Sequence, residues 1–201
     1  MSKAISDPQK LRAIIDAKDR EIADLEVKLR IAQLDDLTGL PKRSQLIEEA
    51  QHLLNKKQLP TSLIFMDLNG FKKINDEIGH QSGNSLLIQF SEFLKRQKEL
   101  LGEGGLLITL SRLGGDEFAI LMPYMEEEEA SEFMKLIKKN LRSEVFEIGE
   151  GQTFAIHVAM GVGTAGLDCT MTSTLMHRAD KAMYEDKARM RGAGEVTKKV
   201  E

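Results

Sequence analysis

Leu106-Leu107-Ile108-Thr109-Leu110-Ser111-Arg112-Leu113-Gly114-Gly115-Asp116-Glu117-Phe118-Ala119-Ile120-Leu121-Met122 is the stretch on which the fold turns. Two apolar runs, 106–113 and 117–122, flank a tight Gly-Gly-Asp-Glu turn, which is a hairpin signal. A hairpin requires at least one antiparallel strand pair. Upstream, residues 61–66 (Thr-Ser-Leu-Ile-Phe-Met) form a short apolar run that ends at Asp67. That pattern predicts a buried central strand delivering a carboxylate at its C-terminal end. Downstream, 154–162 predicts a further strand. Helical patterns cover 44–57, 82–100, 126–141 and 172–191, with 70–75 as a connection. The glutamates at 126–129 suit a solvated first turn favoured by the helix dipole better than a metal site. Strands alternating with helices around a hairpin predict an α/β (α+β) fold, a mixed central sheet flanked by helices.

The N-terminal part reads differently. Residues 1–8 are expected to be a flexible N-terminus, 9–35 a helix, 36–195 one domain and 196–201 a tail. In the helix, Ile15, Ile22 and Leu29 fall at heptad position a, with Leu11, Lys18, Leu25 and Ala32 at d. That seam suits a two-stranded parallel coiled coil. A helix packed on its own domain fits the same residues. Short helices are marginal alone, so either reading needs a partner surface.

Composition narrows the function. The chain has 28 basic and 32 acidic residues, so it lacks the positive field that nucleic-acid backbones require. A nucleotide site is still compatible, because a few placed cations and metals hold one triphosphate. The single cysteine, Cys169, excludes an intrachain disulfide and fits a reducing compartment; it is expected to be a spectator thiol in a loop. No apolar run is long enough to cross a bilayer, and the first residues have no signal-peptide core. A cytoplasmic protein without membrane insertion is the expectation.

Candidate chemistry gathers on Asp67, Asp116 and Glu117. Carboxylates meeting at one sheet edge repel unless a divalent cation neutralises them, and hard oxygen ligands without a His or Cys cluster favour magnesium. Gly114 and Gly115 let the backbone turn sharply and let a phosphate approach. Lys72 lies five residues after Asp67 and can neutralise charge developing on a phosphate; Asn75 can pair with a base edge. Taken alone, His80 reads as structural. Lys187 and Arg191 are four apart on a helix, a spacing that suits gripping phosphate oxygens.

Over roughly residues 34–192 the chain resembles the GGDEF domains of bacterial diguanylate cyclases. The matching segments are Asp36-Leu37-Thr38-Gly39-Leu40, Asp67 through Gly83 (DLNGFKKINDEIGHQSG), Arg112 through Phe118, and Ala179-Asp180-Lys181-Ala182-Met183-Tyr184 with Lys187. The resemblance implies a palm-like cyclase fold and condensation of two GTP into cyclic di-GMP across a homodimer. It implies two magnesium ions, with manganese as a substitute, held by Asp67, the Leu68 carbonyl and Asp116. Asp116 would help deprotonate the attacking 3′-hydroxyl and Glu117 would support the metal site. Lys72 would stabilise the phosphoryl transition state, and Lys187 and Arg191 would hold the terminal phosphates. Asn75 and position 84 would read the base, with His80 close by. A catalytically silent module that binds GTP or dimerises is the alternative, although silent members usually lose the hairpin acids.

Three positions depart from the family pattern. Asn69 stands where a second aspartate is usual, and activity is expected to survive that. Asn84 replaces the usual base-reading aspartate; two readings fit, an asparagine tolerated with GTP still preferred, or an enzyme that also accepts ATP and forms a mixed cyclic GMP-AMP. Gly105-Leu106-Leu107-Ile108 occupies the place of the Arg-x-x-Asp product-inhibition motif, so inhibition through that site is expected to be absent.

Overall fold

The computed structural model describes residues 8–149, 151–193 and 197–200. It divides into two units, Met1–Leu34 and Asp35–Glu201. In the first, α1 (Pro8–Ala32) is one continuous helix. Its seam residues Leu11, Ile15, Ile22, Leu25 and Leu29 are 48–60% exposed. Ion pairs at helical spacing, Lys18–Glu21 and Lys28–Asp24, support it.

The second unit begins with α2 (Arg43–Asn55), β1 (Thr61–Asn69), α3 (Phe71–Ile78) and α4 (His80–Glu99). A 3-10 helix (Gly102–Leu107) leads to β2 (Thr109–Gly114) and β3 (Glu117–Pro123). Next come α5 (Glu127–Leu141), β4 (Phe146–Ile148), β5 (Gln152–Ala155), β6 (His157–Ala165), α6 (Thr172–Gly192) and β7 (Lys198–Val200). The main sheet has the order β2-β3-β1-β6 and the small one β4-β5-β7. Every strand pair in both is antiparallel, and a single parallel bridge joins Lys42 to Arg112.

Strand β1 lies between β3 and β6 and is buried along its whole length. Because side chains alternate along a strand, the two faces build two cores. Ile64, Met66 and Phe118 pack with Phe90 of α4 and Ile137 of α5. Phe90 meets Phe118 edge-on, ring centres 5.0 Å apart. On the other face Leu63, Phe65 and Leu121 pack with Leu46 of α2 and Leu175 of α6. Strand β6 sits at the sheet's edge, and α6 closes it. Asp186 accepts the Met160 N–H at 2.9 Å, and Arg178 donates to the Thr164 carbonyl at 2.7 Å.

Several elements differ from the sequence reading. The segment 70–75 is helical rather than a connection, because Gly70 (φ 83°) starts α3 and Gly79 (φ 100°) separates it from α4. Leu107 ends a 3-10 helix, so the hairpin's first strand starts at Thr109. The run 154–162 is broken at Ile156, sending β5 to the small sheet and β6 to the large one. Cys169 lies in a connection but is 3% exposed, packed in the α2/α6 core with its thiol facing the Met171 carbonyl. Residues 1–7 and 194–196, with the expected flexible N-terminus and the boundary at 195–196, lie outside the described residues. No described helix is long and apolar enough to cross a membrane.

Candidate active site

The β1–β3 register sets Asp67 directly opposite Glu117. The Leu68 N–H donates to the Asp116 carbonyl at 3.3 Å, so the hairpin turn is held against the end of β1. Gly114 (φ 144°) and Gly115 (φ 54°) take backbone conformations that L side chains rarely adopt, and this lets the turn fold back so tightly. The carboxyls feel the crowding. Burial, then the charge of Asp67, raises the pKa of Asp116; burial, then Asp67 and Asp116, raises that of Glu117.

Lys187 of α6 reaches one oxygen of Asp67, Nζ to Oδ2, at 2.6 Å. The other, Oδ1, is buried and has no hydrogen-bond partner among the described residues. A buried orphan oxygen beside two carboxyls that resist ionisation fits a hard divalent cation. Magnesium commonly takes one or two carboxylates and completes its shell with phosphate and water oxygens. Among the described residues, no three or more His, Cys, Asp or Glu side chains stand ready to wrap an ion alone.

A strap holds the turn. Arg112 donates from Nε and Nη2 to the Gly115 carbonyl at 3.1 and 2.8 Å, and from Nη1 to Asp35 Oδ1 at 2.9 Å. Asp35 also accepts the Thr38 N–H and hydroxyl at 2.9 and 2.7 Å. Burial would raise the Asp35 pKa, but the bonds from Thr38 and Arg112 outweigh it and hold it low. The sequence reading missed Asp35, although an Asp three residues before a Thr at a helix-breaking glycine is a local capping signal. Arg112→Ala removes a partly buried charge-assisted pair and is expected to cost about 2–3 kcal/mol. Urea denaturation checks this, and a double-mutant cycle with Asp35→Ala should return most of that figure as coupling.

Beside the turn, Arg43 of α2 and His177 and Asp180 of α6 line a cavity of about 340 Å³ into which Glu117 faces. Arg43 favours the Glu117 charge and Asp180 opposes it. Nothing in local spacing marks Arg43 or His177, because α2 and α6 meet only in the fold.

The structure therefore brings together Asp67, Leu68, Gly114, Gly115, Asp116, Glu117 and Lys187. The other candidates stand around them. Lys72 is exposed in the first turn of α3, and Arg191 is exposed one turn beyond Lys187. His80 and Asn84 are exposed in the first turns of α4. Asn75 is half-buried against α4, its Oδ1 only 1.9 Å from where a Cβ at position 83 would sit, so Gly83 makes room for it. Among the described residues, no hydrogen bond joins these five to the carboxylates.

Residues 32–193 match the family described as "Diguanylate cyclase, GGDEF domain". The chain belongs to the GGDEF family. Diguanylate cyclase DgcP of Escherichia coli K12 is 34% identical over 160 residues, which cover 76% of this chain and 44% of that protein. The GGDEF domain of TpbB from Pseudomonas aeruginosa superposes with a TM-score of 0.68 at 28% identity, covering 78% of this chain and 89% of that one. DgcB of Caulobacter crescentus, solved as coiled coil and GGDEF domain in complex with c-di-GMP, has a TM-score of 0.73 at 22% identity. It covers 90% of this chain and 93% of that one, and shares the fold. This GGDEF chain spans less than half the length of the first curated relatives it matches.

Proposed function

We propose that this GGDEF domain condenses two GTP molecules into cyclic di-GMP and pyrophosphate, each half-site contributed by one subunit of a homodimer. The observation that carries the reading is the buried, unpartnered Asp67 Oδ1 beside Asp116 and Glu117. In this reading Asp67, Asp116 and the Leu68 carbonyl hold magnesium, as two ions, with Glu117 supporting them and manganese able to substitute. Bound metal supplies positive charge to the oxygens of the reacting phosphate. Asp116 accepts the proton of the 3′-hydroxyl. Lys72 faces charge building on the α-phosphate. Lys187 exchanges the Asp67 carboxylate for terminal phosphate oxygens and works with Arg191 one turn on. Asn75 and Asn84 read the base edge from the α3–α4 hairpin, and His80 supports them.

Each 3′-hydroxyl must reach the nucleotide on a second copy, so two subunits must face each other. The exposed Leu11, Ile15, Ile22, Leu25 and Leu29 stripe of α1 supports a two-stranded coil in that role. Feedback through the Arg-x-x-Asp motif has no residues to act on here. Gly105 stands at the expected arginine, and a Cβ there would lie 2.4 Å from the Lys98 carbonyl oxygen.

Mass spectrometry after incubation with magnesium and GTP, ATP or both tests the reading. Cyclic di-GMP is expected with GTP. No cyclic product at any protein concentration would instead support a silent, GTP-binding or dimerising module. The mixed-nucleotide arm tests Asn84. Its amide offers one acceptor where guanine presents two donors, so ATP is accepted beside GTP and cyclic GMP-AMP forms. Asn84→Asp should then raise the preference for GTP by about 10- to 100-fold, the worth of one buried hydrogen bond. An unchanged product ratio in the variant would remove position 84 from base selection.

A further inference from the structure

Strand β1 ends at Asn69, whose partner across the β1–β6 ladder is His157. A third residue, distant in sequence, stands at this last rung. The His157 N–H donates to the Thr197 hydroxyl at 3.4 Å, and that hydroxyl donates to the Asn69 carbonyl. A hydroxyl can accept and donate at once, so Thr197 answers a backbone donor on one strand and an acceptor on the other. It also covers Gly70: a Cβ added there would lie 3.4 Å from the Thr197 Cβ. Thr197 is carried in turn by β7, where Lys198, Lys199 and Val200 pair with Ala155, Phe154 and Thr153 of β5.

The Asn69 side chain is gripped as well. It is buried, and its Nδ2 donates to Met190 Sδ at 3.5 Å. An ionised aspartate could offer that sulfur no proton, so the amide suits its neighbour. Further along, a cavity of about 620 Å³ lined by Lys73, Ile74, Phe154 and Lys199 separates α3 from the small sheet. The sheet therefore meets α3 at Gly70, through Thr197, rather than along the helix. Asn69 follows Leu68, whose carbonyl is a candidate metal ligand, and Gly70 (φ 83°) turns the chain into α3, which bears Lys72 in its first turn. Backbone pairing of β7 with β5 needs no particular side chain at 197, so it does not explain a hydroxyl on this rung. We propose that Thr197 is a positioning residue for the active site: its hydroxyl fixes the end of β1, and with it the Leu68 carbonyl and Lys72. The proposal rests on the cyclase reading of Leu68 and Lys72.

Thr197→Val, which keeps the shape and removes the hydroxyl, tests this in the whole chain, with Thr197→Ser as the conservative rescue. Two readouts need no turnover: manganese titration followed by water-proton relaxation, and amide hydrogen exchange. The valine variant should bind manganese about three- to tenfold more weakly and exchange the amides of residues 70–74 about fivefold faster. The serine variant should stay within about twofold of the parent in both. In turnover with GTP, Thr197→Val should lower kcat about tenfold and move KM less than about twofold, because the displaced groups act on the transition state. A purely structural role would lower Tm and leave kcat of the folded fraction unchanged. Lys199→Ala, at an exposed position on the same strand, should match the parent throughout. A parent that makes no cyclic product would sink the cyclase reading, while manganese binding and exchange would still decide the role of Thr197. The proposal is overturned if Thr197→Val binds manganese and exchanges like the parent, if Thr197→Ser is as impaired as Thr197→Val, or if Lys199→Ala is impaired equally.

Discussion

Asp116→Asn is expected to reduce cyclic di-GMP formation by at least about 10³-fold, the scale seen when a transition-state charge contact is removed. The same substitution should leave the protein as stable or more stable. The argument runs through the carboxyl pKa values. Those of Asp116 and Glu117 are raised in the folded state, by burial first and by neighbouring acids next. The folded chain therefore holds these protons more tightly than the unfolded chain. Stability from this source is complete below the ordinary carboxylic range and is lost as the pH rises through the raised folded values. Above those values the two groups are charged against each other, and replacing one by an amide relieves that repulsion. Magnesium should relieve it too. At ten times its Kd it would add about 1.4 kcal/mol, or about 3–6 °C in Tm, to the parent at pH 7. The shift should shrink in Asp116→Asn. An active variant, or one that magnesium stabilises as much as the parent, would break the link between this carboxyl and the metal. A destabilised but active variant would do so equally.

The parts of this site that could be read from sequence are those carried by short, local signals. Asp67 ends an apolar run and Gly114-Gly115 sits between two others, so strand, turn and acidic edge were all legible. What the run pattern could not supply was pairing. The stretch 154–162 reads as one strand, yet Ile156 divides it between two sheets whose partners are distant in sequence. Three-residue β4 and β7 carry too few residues for a period to register. Helix α3 was missed because its amphipathic pattern lasts only eight residues. Asp35 and Arg43 act through contacts with the hairpin region that no local spacing announces. The family resemblance supplied roles for Lys72, Asn75 and Arg191, which the apolar pattern leaves as ordinary exposed or half-buried residues.

Gly161→Ala is expected to cost about 3 kcal/mol or more and lower Tm by about 6–12 °C, against the usual expectation that alanine is the better strand residue. A Cβ at this position would lie 2.0 Å from the Met183 nitrogen, 2.5 Å from the Ala182 carbonyl carbon and 2.6 Å from the Ala179 oxygen. All three are backbone atoms of α6, so no rotamer change relieves the contact; the helix must move off β6. Gly163 has the same relation to Ala179 and Leu175, so the two glycines form one seat for the helix. The helix carries Lys187, whose ammonium meets Asp67 at 2.6 Å, and a displacement of a few tenths of an ångström disturbs that contact. The folded fraction of Gly161→Ala should therefore also lose product formation, more than its stability alone accounts for. Gly192→Ala is the control, since nothing lies within 4 Å of its added methyl, and it should change stability by less than about 0.5 kcal/mol. Thermal melts of the three proteins decide the matter. A Gly161→Ala variant that melts with the parent would mean that α6 does not sit on β6 this closely. The fold's hold on Lys187 would then have to come from elsewhere.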